Sequence, residues 1–126
     1  MPPRIPEHAE KVFEGVLFDV FQWDQTLFDG SRARFEAARR VPSVQVLATD
    51  DAGRVILLEE EQPYVGRFIA VPGGRVERGD DPETTVRKEL LEELGMAPRA
   101  VELWYEQHSG STLQWSTFNF IARGCT

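Results

Sequence analysis

One cysteine, two histidines and no long apolar run are the chain's clearest deficits. With Cys125 alone, no intrachain disulfide can form, which suits a reducing compartment, and the thiol reads as an inert surface group. His8 and His108 stand apart without metal-ligand spacing, so each reads as structural or surface. No apolar stretch approaches the length of a membrane span. The first eight residues hold three prolines and no apolar core, so they do not read as a signal peptide. These features point to a cytoplasmic protein without membrane partners. Basic residues are also scarce, 14 against 21 acids, for a net charge of −7. That balance disfavours non-specific nucleic-acid binding. It leaves room for a phosphorylated small molecule if a metal carries the positive charge.

What is present fits one ordinary globular domain. The chain has 126 residues, 41% hydrophobic and 28% charged, enough for a single core. Residues 11–28 are rich in β-formers, and Asp29-Gly30 predicts a hairpin turn. Residues 32–40 fit a strand or a short helix, with a returning strand the better reading. Strands are expected at 43–49 and 54–59, paired as a hairpin about Asp50–Gly53, then at 68–71, 100–107 and 113–122. The clear helix is 82–94. Asp81 is its N-cap, Pro82 its first-turn residue and Gly95 its terminator. Val86, Leu90 and Leu94 form its apolar stripe.

On that helix Glu89, Glu92 and Glu93 fall at i, i+3 and i+4, so three carboxylates share a face. They repel one another, and they sit in the half of the helix where its dipole disfavours negative charge. Such a cluster calls for a cation, and hard oxygen donors suit Mg²⁺, Mn²⁺ or Ca²⁺. Pro72-Gly73-Gly74 just upstream lets backbone approach a ligand closely. Residues 77–93 hold seven acids and three bases, so this segment alone carries −4 of the −7.

Read as one unit, residues 74–96 resemble the Nudix box. Gly74, Asp80, Lys88, Glu89, Leu90, Glu92, Glu93, Gly95 and Met96 fill its specified positions with the spacing intact. Seven of the nine agree; Asp80 stands for a glutamate and Lys88 for an arginine. Leu57–Pro63, Phe68–Gly74, the N-terminal arm and the Phe120–Gly124 ending resemble the ADP-ribose pyrophosphatase branch. Phe21–Trp23, Phe28–Ser31 and Phe35-Glu36 are similar to a bacterial and archaeal subgroup of the same family.

The resemblance implies an α/β/α sandwich with a mixed sheet. It implies one domain over 1–126, with a β-arm at 1–42 and a core at 43–126. It also implies Mg²⁺- or Mn²⁺-dependent hydrolysis of a nucleoside diphosphate linked to another moiety, ADP-ribose or a nucleotide sugar first. A triphosphate pyrophosphohydrolase and a catalytically weak nucleotide-binding domain are the alternatives. Glu89, Glu92 and Glu93 would be metal ligands, joined by the Gly73 carbonyl and, more weakly, by the shorter Asp80. Lys88 would orient a glutamate. Arg67 would contact phosphate, and Trp23 and Phe28 would stack on the base. The general base is Glu89, Glu106 or a residue outside this sequence.

With one helix in view, one face of the sheet would lie open. A helix over 32–40, an arm exchanged with a partner, or a chain without its last helix would each account for it. The expectation is a homodimer through the arm together with a shortened C-terminus.

Overall fold

The computed structural model describes residues 4–126. The chain divides into two compact units, residues 1–41 with 108–116, and residues 42–107 with 117–126. Residues 108–116 therefore group with the N-terminal arm.

In the first unit, β1 (Glu10–Glu14), β2 (Asp19–Thr26), β3 (Arg32–Arg39) and β10 (Leu113–Gln114) lie in the order β1-β2-β3-β10. The long run 11–28 is broken at Gly15, whose N–H bonds the Phe18 carbonyl at 2.8 Å and turns β1 back on β2. Asp29 closes the β2–β3 hairpin by accepting from the Ser31 N–H at 2.9 Å. This turn delivers residues 32–39 as a strand and not a helix, with Trp23 opposite Phe35 and Phe21 opposite Ala37. Phe21 and Ala37 are buried, and the Arg39 guanidinium lies 4.6 Å from the Phe21 ring centre.

In the second unit, β4 (Ser43–Thr49), β5 (Val55–Ile56), β9 (Ala100–His108) and β11 (Ser116–Arg123), the last two apart from their end residues His108 and Ser116, form a mixed sheet in the order β5-β4-β11-β9. Strands β4 and β11 run parallel. The alternation of β4 puts Val44, Val46 and Ala48 on one face. They bury against Val86 and Leu90 of the helix α1 (Pro82–Leu94), with Phe120 and Ala122 of β11. Burying this stripe, rather than helix propensity, holds α1 in place.

Two expectations change here, and one strand is added. The 54–59 strand does not form one hairpin with 43–49: only Val55 and Ile56 pair with β4. Residues Leu58–Gln62 (β6) instead pair with Gly66–Ala70 (β7) as a separate hairpin. Gly73–Arg75 (β8) also joins this sheet, antiparallel to Ser43–Gln45 of β4. Cys125 is not at the surface. It is 2% exposed within the core, and burial pushes its thiol up, which keeps it unreactive. Among the described residues no helix is long and apolar enough to cross a membrane.

Candidate active site

The carboxylate face is set by local capping. Asp81 Oδ1 accepts from the Thr84 N–H at 2.7 Å, and Pro82 follows at the first helical position. Gly95 ends the helix in the left-handed region at φ 66°, with its N–H on the carbonyls of Leu90 and Leu91. These caps fix the helix phase. With Val86 and Leu90 turned into the core, Glu89 and Glu93 come to its flank and Glu92 to its exposed side.

Facing that flank is β8. The Gly73 N–H donates to Glu93 Oε1 at 3.2 Å. Gly74 lies so close to Glu89 that a Cβ there would overlap its carboxylate, while a Cβ on Gly73 would overlap the Val44 carbonyl oxygen. The Pro72-Gly73-Gly74 segment thus admits two glutamates against the backbone. Glu93 Oε2 is buried with no hydrogen-bond partner. Burial first, and then the neighbouring Glu89, push the Glu93 carboxyl up to about 7, against the Gly73 N–H, which lowers it. Glu60 of β6 also interacts with Glu93. Sequence reasoning missed it within the acidic run Leu58–Gln62. The signal is the alternation of that strand, in which Leu58 and Glu60 turn inward and Glu59 and Glu61 outward.

Lys88 Nζ donates to Asp80 Oδ2 at 2.6 Å, and the charges of Glu77 and Glu92 also act on it. The Asp80 carboxylate, first by its hydrogen bond and then by its charge, raises the Lys88 ammonium above its ordinary range. Arg67 is exposed on β7, with its Nη1 3.7 Å from Glu59 Oε1. Glu106 is exposed on β9.

In the other unit, Trp23 packs edge-on to Phe35 at 5.9 Å and donates from Nε1 to Gln25 Oε1 at 3.0 Å. It lines a cavity of about 320 Å³ with Arg4, Pro6, Glu36 and Gln114. Phe28 is fully exposed at the β2–β3 hairpin tip and does not line that cavity. His108 Nδ1 lies 2.8 Å from Ser116 Oγ.

A capped helix with a carboxylate face, set against a Pro-Gly-Gly strand in a mixed sheet, is the arrangement that the 74–96 pattern implies. The chain belongs to the NUDIX domain family, whose model matches residues 39–122. It is 32% identical over 87 residues to an ADP-ribose pyrophosphatase of Bacillus subtilis (strain 168), covering 68% of this chain and 47% of that protein. It is 29% identical over 88 residues to a methanol dehydrogenase activator of Bacillus methanolicus, covering 69% and 48%. The chain spans about half the length of these curated relatives. The crystal structure of an ADP compounds hydrolase aligns with a TM-score of 0.78 at 20% identity, covering 100% of this chain and 69% of that one, a likeness of fold.

Nudix hydrolases generally use divalent cations. Among the described residues no three acidic, histidine or cysteine side chains are already gathered as a ligand set. The donor chemistry nevertheless fits a hard divalent ion. It offers carboxylate oxygens only, one of them buried without a partner, beside backbone that glycine leaves open.

Proposed function

We propose that this chain carries the hydrolytic site of a cytoplasmic enzyme. It would split a nucleoside diphosphate linked to another moiety, with ADP-ribose first and nucleotide sugars next. The observation that carries this reading is Glu93, whose Oε2 is buried without a donor and whose carboxyl is pushed up beside Glu89. A group held in that state gains most from a cation. Its family and its likeness to the Bacillus subtilis ADP-ribose pyrophosphatase support the substrate class.

In this reading Glu89, Glu92 and Glu93 hold Mg²⁺ or Mn²⁺, with the Gly73 carbonyl offered from β8 and Asp80 at the edge. The cation would neutralise the diphosphate, polarise the phosphorus and lower the pKa of the attacking water. The chain's own contribution is placement. The Gly73 N–H aims the Glu93 carboxylate, and Gly74 leaves space for Glu89 to turn toward a water and accept its proton. Arg67, exposed on its hairpin, would meet substrate phosphate. Trp23 and Phe28 would offer ring faces to the base.

Products separated after incubation with Mg²⁺ and ADP-ribose, nucleotide sugars, dinucleotides or nucleoside triphosphates test the reading. AMP from ADP-ribose is the expected result. Triphosphate cleavage alone, or measurable nucleotide affinity with no cleavage in any case, would contradict it.

The arm sheet leaves Phe13, Phe28 and Phe35 exposed, which supports a homodimer formed through it. Sedimentation velocity at micromolar concentration is expected to give the dimer mass. A clean monomer would refute that assembly.

A further inference from the structure

The 74–96 pattern does not contain every carboxylate that reaches the helix glutamates. Glu60 stands on β6, which pairs with β7 as a separate two-stranded sheet. Such a hairpin is marginal alone, so its inward face decides where it docks. Leu58 and Glu60 are half-buried on β6, and the residues opposite them, Ala70 and Phe68, are half-buried on β7. Glu59, Glu61, Arg67 and Ile69, which alternate with them, are exposed. Glu60 is thus the one charged residue in an otherwise apolar docking face.

A charge placed there costs desolvation unless a partner meets it. The hairpin's own base, Arg67, lies outward, 3.7 Å from Glu59. The group that Glu60 meets is the Glu93 carboxylate of α1. Two ionised carboxylates offer acceptors alone, so their contact closes only around a proton or a cation. The Gly73 N–H takes Glu93 Oε1, while Glu93 Oε2 is buried without a hydrogen-bond partner. An octahedral ion has room for an oxygen from β6 beside those from α1 and the Gly73 carbonyl.

We propose that Glu60 is a further ligand of the divalent cation, reaching it from β6 while Glu89 and Glu93 reach it from α1. The inference rests on the cation-binding reading of the helix carboxylates. It gives the β6–β7 hairpin a role, since the ion then ties that hairpin to the helix. It also divides the acidic run of β6 into one ligand, Glu60, and two solvated neighbours, Glu59 and Glu61.

The test is Mn²⁺ binding to the full chain at pH 7.5 in 0.15 M salt, read by the electron paramagnetic resonance of free Mn²⁺. Glu60→Gln is expected to weaken binding by roughly 10- to 100-fold, the scale on which groups that hold or orient a metal's ligands act. Glu61→Gln, the next residue but outward, should change it by less than about twofold, because salt screens an exposed charge. In urea with EDTA, Glu60→Gln should unfold at a midpoint no lower than the wild type, since its amide replaces a like charge and can donate to Glu93. Equal losses of affinity in Glu60→Gln and Glu61→Gln would overturn the inference, because general charge and not ligation would then be at work. A loss of affinity joined to a lower metal-free midpoint would also overturn it, making Glu60 a structural prop of the hairpin. Glu93→Gln separates the inference from the reading beneath it. If Glu93→Gln abolishes binding while Glu60→Gln binds like the wild type, the cation site stands and the ligand role of Glu60 falls. If the wild type binds no Mn²⁺, the cation site itself falls, and the role of Glu60 with it.

Discussion

Glu93→Gln is expected to lower Mg²⁺-dependent hydrolysis of ADP-ribose by roughly 10³-fold while making the metal-free protein more stable near pH 8. The two effects have one origin. A charged cation ligand supplies several kcal/mol of transition-state stabilisation, and the neutral amide removes that contribution. Without a cation the same carboxylate is a burden, because Oε2 is buried without a donor and Glu89 repels it. An amide can keep the bond from the Gly73 N–H through its oxygen and can donate to Glu89.

The pH dependence follows from the raised carboxyl. The Glu93 pKa is about 7 in the native state, against an ordinary value of 4.5. Between those values the native state holds more protons than the unfolded one. Its stability therefore falls as pH rises through that window, and the contribution is lost above about 7. Urea unfolding in EDTA at pH 5 and pH 8 reads this directly. The wild type should lose stability relative to Glu93→Gln over that interval. Parallel pH slopes would sink the assignment, whatever the activity result.

The two glycines of the Pro72-Gly73-Gly74 segment are expected to fail in opposite ways. Gly73→Ala drives its methyl into the Val44 carbonyl on β4, where neither backbone can yield, so the cost falls on stability at about 1–3 kcal/mol. Gly74→Ala drives its methyl into the Glu89 carboxylate, the far end of a flexible side chain. The fold gives way there cheaply, but a carboxylate displaced by about 1 Å costs roughly tenfold to 10²-fold in turnover. Urea midpoints and kcat measured on both variants separate the cases. A stable, slow Gly73→Ala with an unstable, active Gly74→Ala would reverse the account.

How much of this was legible in the sequence depended on the range of the signal. Helix 82–94 was read to the residue, because Asp81, Pro82 and Gly95 act within one turn of the helix they bound. The strand at 32–39 followed from the Asp-Gly turn ahead of it. The β6–β7 hairpin was not read, because Pro63-Tyr64-Val65 lacks a strong turn signal and the strand joins two pairings in succession. In the sequence Pro72-Gly73-Gly74 reads only as backbone that can approach a ligand; its pairing with Ser43–Gln45 is what makes β8 the wall that Glu89 and Glu93 face. The three helix carboxylates were visible from their spacing, whereas Glu60 was hidden in an acidic run that reads as a solvated surface. Cys125 was misread because a near-terminal position suggests exposure, while the structure folds that residue under the sheet. The partnership of Lys88 with Asp80 spans a loop whose path no local rule gives.

In the proposed reaction, water attacks phosphorus at this carboxylate face with help from a cation. The direct measurement is hydrolysis of ADP-ribose in ¹⁸O-labelled water, first in EDTA and then with excess Mg²⁺, with both products analysed by mass spectrometry. The account predicts no turnover in EDTA. It predicts restored turnover with Mg²⁺ and one ¹⁸O in a phosphoryl group of AMP or of ribose phosphate. Turnover that ignores EDTA, or label found outside a phosphoryl group, would contradict it.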